Sequence, residues 1–131
     1  MADKVKVMRS QLGRVRGLGS ARAGTEHWSM QRISSGALIP LTIWFIWQLL
    51  SLLGADQPTV AAWVRHPLNA ALLLGLVYLT FYHTQVGLQV VYEDYVKGTP
   101  RGVAILATKA VALLLGVMSS LAVLKLFLSA P

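Results

Sequence analysis

Residues 68–92 read LNAALLLGLVYLTFYHTQVGLQVVY, 25 positions without an Asp, Glu, Lys or Arg, with one histidine at position 83. About 20 apolar residues wound into a helix cross the hydrocarbon core of a bilayer. Peptide groups in that core must be satisfied within the segment, so such a run is a helix and not a strand. Two more runs match it. Ile33–Leu53 holds 21 residues without a charge, and Val103–Leu128 holds 26 with Lys109 near its start and Lys125 near its end. Both lysines sit where a long side chain can reach back to the headgroups. The sequence therefore reads as an all-α membrane protein with three transmembrane helices, over about 33–53, 68–92 and 103–128.

Composition agrees. Of 131 residues, 55% are hydrophobic and only 13% charged, where a soluble domain carries roughly a quarter. That excludes an ordinary soluble globule, a disordered tail and a free nucleic-acid-binding domain. The net charge of +7 has a topological explanation. Seven of the twelve Lys and Arg residues fall in the first 32 positions; with Lys97 and Arg101 they place nine cations on one side, against Arg65 alone on the other. The positive-inside rule then puts the N-terminus in the cytoplasm, or in the matrix for a mitochondrial protein, and the C-terminus outside. Residues 1–32 form a basic cytoplasmic segment without the apolar core of a signal peptide, and 33–128 form the three-helix domain.

The connections are short: Gly54–Pro67 carries turn-forming residues, and Glu93–Gly102 carries a helix stop and restart around Gly98-Thr99-Pro100. Trp28 and Trp63 lie just outside the spans, where interfacial aromatics belong, while Trp44 lies inside one and calls for a packing role. There is no cysteine, hence no disulfide, no thiolate metal site and no Cys nucleophile in this chain. The histidines His27, His66 and His83 form no zinc motif. So little extramembrane mass suits a protein that holds or anchors something.

An ionisable group inside a span costs a few kcal/mol and marks a functional candidate. His83 is the one histidine so placed. Along a helix His83, Gly87, Val90 and Asp94 share a face, and Gly87 clears space one turn from the imidazole. A haem with His83 Nε2 as an axial ligand fits this arrangement; so does a neutral imidazole bonded to a Ser, a Thr or a carbonyl of a neighbouring helix. Spacing does not choose between them. The helix ends in Tyr92-Glu93-Asp94-Tyr95-Val96-Lys97, with Tyr95 about 18 Å beyond His83 at 1.5 Å per residue. A phenol at the lipid–water boundary can donate to a carbonyl of a membrane-dissolved ligand, and a carboxylate beside it can reach bulk protons. Glu93 and Lys97 read as a solvated helix end. Arg32 opens the first run as the last positive-inside residue, or as a guanidinium able to pair with a carboxylate or propionate. Ser34 and Ser35 after it can hydrogen-bond or pack helices closely.

The string His83-Thr-Gln-Val-Gly87-Leu-Gln-Val-Val-Tyr-Glu-Asp94-Tyr95-Val-Lys97 resembles the second helix of the small membrane anchor subunit of succinate dehydrogenase, respiratory complex II. Gly17–Arg32, with His27-Trp28-Ser29-Met30-Gln31-Arg32 at its end, resembles the N-terminal segment of the alphaproteobacterial type. The resemblance implies a bacterial inner-membrane chain that forms a helical bundle with a second cytochrome b-type anchor. Together they hold an iron–sulfur subunit and a flavoprotein subunit that oxidises succinate. It further implies a haem b shared between the anchors, with His83 as one axial ligand and the other supplied by the second anchor. Tyr95 would bond a carbonyl of ubiquinone, Asp94 would lie near the quinone and its proton route, and Arg32 would lie near a haem propionate. Three rivals remain: a fumarate reductase anchor, a structural assembly subunit of another membrane complex, and a stand-alone cytochrome. In the structural reading His83 and Tyr95 are packing residues.

Overall fold

The computed structural model describes residues 24–129. Most of the basic segment expected over 1–32, and with it part of the N-terminal resemblance, lies outside the described residues. Four helices follow: α1 (Gly24–Ser51), α2 (Gln57–Arg65), α3 (Pro67–Tyr95) and α4 (Thr99–Leu128). Among the described residues α1, α3 and α4 are long and apolar enough to cross a membrane, over Trp28–Ser51, Pro67–Tyr95 and Thr99–Leu128.

The three expected spans are present, but their ends move. The first helix begins well before Ile33, so Arg32 lies inside it and not at its start. An apolar run marks the stretch that hydrocarbon demands, whereas a helix continues through the interface wherever its polar residues tolerate it. Glu26 in the first turn of α1 favours this, since a carboxylate there faces the positive end of the helix dipole. The connection read as a loop over Gly54–Pro67 contains α2, nine residues long. Gly54 turns the chain with φ 80°. The Asp56 side chain then caps α2 by accepting from the Thr59 amide at 3.2 Å, and Pro58 occupies the first turn, where its missing N–H is no loss. That hydrogen bond holds the Asp56 carboxyl below its ordinary value. Pro67 opens α3 in the same manner, and Asn69 donates to the Trp63 carbonyl at 2.9 Å, covering the end of α2. On the opposite side Gly98, with φ 74°, separates α3 from α4.

The long helices form a row. α3 packs against α4 and α1, while α1 and α4 do not pack on each other; α2 closes one end against α3 and α4. Trp44 stacks on Trp63 with ring centroids 5.9 Å apart, tying α1 to α2 in the packing role its position calls for. Arg65 donates to the Ser129 hydroxyl at 3.3 Å. Between α3 and α4, Gly116 lies where an added Cβ would stand 3.5 Å from Phe81. Thr108 donates to the Tyr92 phenol at 3.3 Å farther along the same seam. Buried apolar residues among those described are few and small, Ala61, Val64, Ala70 and Val86, because both faces of the row look outward.

The Gly116 seam yields the first test. Gly116→Ala places a methyl at ordinary contact distance and should leave stability nearly unchanged. Gly116→Leu should destabilise the chain by roughly 1–3 kcal/mol, the usual cost of overpacking. Thermal unfolding in detergent micelles reads both; equal behaviour of the two variants would show that α3 and α4 are not closely seated there.

Candidate functional site

Where α1 crosses α3, an antiparallel register brings Gln31 and Ser34 beside His83 and Gly87. Ser34 is the buried polar residue of the described chain, only 3% exposed. Its hydroxyl donates to the Gln31 main-chain carbonyl one turn back, at 3.0 Å, and lies 2.9 Å from His83 Nδ1. The Gln31 side-chain nitrogen lies 3.3 Å from His83 Nε2. That same nitrogen fills the space beside Gly87, where a Cβ would come within 3.2 Å of it. The Gln31 side-chain oxygen is buried without a partner.

The imidazole therefore bonds a serine of the neighbouring helix, one of the two arrangements open from spacing, and the other arrangement survives this. One ring nitrogen is engaged by a hydroxyl, while the other meets only the end of a flexible amide. Ser35, Leu38, Ile39, Thr42 and Ile43 line an open groove of about 400 Å³ next to His83, within the size range of ligand clefts. A half-buried imidazole with one nitrogen anchored, beside an apolar groove, suits a flat apolar macrocycle held through its metal. The space expected beside Gly87 is taken by the Gln31 amide.

The remaining candidates flank this crossing. Asp94 lies eleven residues beyond His83, within roughly 20° of the same direction around the helix, while Tyr95 is turned roughly 120° from it. Tyr95 ends α3 and is 82% exposed. Asp94 and Lys97 are also exposed, and Glu93 accepts from Gln89 at 2.8 Å, as fits a solvated helix end. Arg32 is exposed, and its guanidinium lies over the Trp28 ring, 4.4 Å from the centroid. The chain thus joins His83 to Ser34 and Gln31, leaves Asp94 and Tyr95 at the far end of α3, and holds Arg32 against Trp28.

Against this geometry, a family model described as "Succinate dehydrogenase/Fumarate reductase transmembrane subunit" matches residues 6–123. The chain belongs to this family. Relatives in it include a succinate dehydrogenase hydrophobic membrane anchor subunit of Rickettsia bellii, 31% identical over 107 residues, which are 81% of this chain and 86% of the relative. A protein of the same name from Paracoccus denitrificans is 31% identical over 90 residues, 69% of this chain and 70% of that one. No solved structure gave a significant match. Family membership agrees with the resemblance drawn from the His83–Lys97 string, and with the three long apolar helices.

Gln31 is the site residue that sequence reasoning passed over. The available signal was a glutamine one turn before a serine on a helix that must enter the bilayer, where an uncharged amide has no reason to face lipid. Which partner it meets depends on the register between α1 and α3, and that register is a tertiary fact.

Proposed function

We propose that this chain is a membrane anchor subunit of succinate:ubiquinone oxidoreductase, seating a flavoprotein subunit and an iron–sulfur subunit at the inner membrane. Its N-terminus and the α3–α4 connection face the cytoplasm, in keeping with the cations on that side. The observation that carries the reading is the His83 imidazole, anchored through Nδ1 and bordering an apolar groove on a chain of this family. His83 would hold one axial position of a haem b shared with a second anchor, which supplies the other ligand. Arg32, two residues before Ser34, would serve a propionate by leaving its stack on Trp28. When bound, the haem supplies a one-electron relay within the membrane.

Quinone reduction consumes two electrons and two protons, so its site must touch both lipid and water. Tyr95 meets that condition at the end of α3. Its phenol donates to a carbonyl of ubiquinone and stabilises the charge that gathers on oxygen as electrons arrive. Asp94 beside it connects the site with bulk protons. The large exposure of Tyr95 leaves the ring free for a quinone and for the subunits that close the site around it. Succinate oxidation itself belongs to the flavoprotein subunit.

A second reading draws on the Ser34–His83 hydrogen bond: a structural subunit in which His83 clasps α1 to α3. The anchor of a fumarate reductase would run the same chemistry in reverse, with direction set by quinone potential and the soluble subunits.

Two substitutions in the intact complex separate these readings. Tyr95→Phe should lower quinone reduction by roughly 10- to 100-fold, the worth of one hydrogen bond to a developing charge. Succinate oxidation with a soluble acceptor should persist; parallel loss of both activities would indicate failed assembly instead. His83→Ala should diminish or shift the reduced-minus-oxidised b-type absorption of the purified complex. An unaltered spectrum, with lowered thermal stability, would make His83 a structural clasp.

A further inference from the structure

We infer that Ser34 and Gln31 preset His83 for its ligand: Ser34 fixes the imidazole as the Nδ1–H tautomer, and the Gln31 amide caps Nε2 until a metal displaces it. The Ser34 hydroxyl has one hydrogen, and at 3.0 Å it faces the Gln31 carbonyl, which can only accept. With that hydrogen committed, the contact of 2.9 Å between Ser34 Oγ and His83 Nδ1 needs its hydrogen from the ring. Nδ1 therefore carries the proton and Nε2 keeps its lone pair. The Gln31 amide nitrogen, 3.3 Å from Nε2, donates to that lone pair, and every close contact then has one donor and one acceptor.

The opposite tautomer fits less well. It needs the Gln31 amide turned over so that its oxygen meets an Nε2–H. That would leave two amide hydrogens at the buried position where one oxygen now lacks a partner, and it takes the serine hydrogen off the carbonyl one turn back. Burial of Ser34 to 3% exposure excludes the water that would otherwise repair either loss.

Two consequences follow for His83 as a ligand. A ring that donates through Nδ1 is oriented and made more basic at Nε2, and loss of such a support costs a metal site about 10- to 100-fold in affinity. Gln31 acts in the opposite sense, because its amide occupies the position that iron must take. Ser34 is thus a positioning residue, and Gln31 a displaceable cap packed against Gly87.

The inference about metal rests on the haem reading above, whereas the tautomer does not, and the test separates them. In the purified complex, Ser34→Ala should lower haem affinity by 10- to 100-fold and raise the midpoint potential of any haem retained. Ser34→Thr should restore both, since its hydroxyl can replace the serine's. Gln31→Ala should tighten haem uptake by the haem-depleted complex about 2- to 10-fold, the worth of one neutral hydrogen bond. Unchanged haem content and potential in Ser34→Ala would overturn the positioning role, and weaker uptake in Gln31→Ala would overturn the cap. Should the wild-type complex hold no haem, the haem reading fails by itself. Nitrogen chemical shifts of the labelled His83 ring in the full chain then decide the tautomer: a protonated Nδ1 with a bare Nε2 upholds it, and the reverse pattern overturns it.

Discussion

Hydrocarbon offers no hydrogen bonds, and that single constraint organises this chain. Each peptide group in the lipid must be satisfied by its own helix, so α1, α3 and α4 run unbroken for 28, 29 and 30 residues. The devices that reverse the chain, Gly54 and Gly98 with positive φ, are confined to the ends, where water can meet exposed carbonyls. Pro40 within α1 removes the N–H that would bond the carbonyl of Gly36.

The same constraint explains why the sole buried polar side chain among those described matters so much. Between apolar helices in lipid, burial gives little net preference, and association relies on close packing and on polar contacts across the seam. Small residues serve the α3–α4 seam, where Gly116 receives Phe81. The α1–α3 seam uses polarity: Ser34 and Gln31 meet His83, with Gly87 giving the amide room. A single arrangement thus joins two helices and orients a ring nitrogen. The structural and ligand readings of His83 are therefore compatible, because the contact that clasps the helices would also orient the imidazole as a ligand.

A row of three helices with few buried residues is an incomplete bundle. Large apolar side chains such as Trp47, Tyr78 and Leu113 face outward, toward lipid or a second anchor. On the proposed reading, His83 would hold a haem from one side and another chain would supply the second histidine. Tyr95 likewise stands free at the end of α3. On the proposed reading these parts would be one half of a site that an assembly completes.

The three spans and the boundaries of α3 to within a few residues were legible from charge-free runs alone, since length and hydropathy are what the bilayer tests. His83 could be singled out because an ionisable group in lipid is costly, and Asp94 and Tyr95 because they follow it at the helix end. The starts of α1 and α4 were less legible, because helices extend through an interface that hydropathy does not mark. α2 was hidden because nine residues between the turn signals at Gly54 and Pro67 read as a connection, although Asp56 and Pro58 carried its start signal. Sequence periodicity can place residues on a face, but it carries no information about the register between two helices. Only the packed chain could bring Gln31 and Ser34 to opposite nitrogens of one imidazole, because that meeting depends on how far α1 slides along α3.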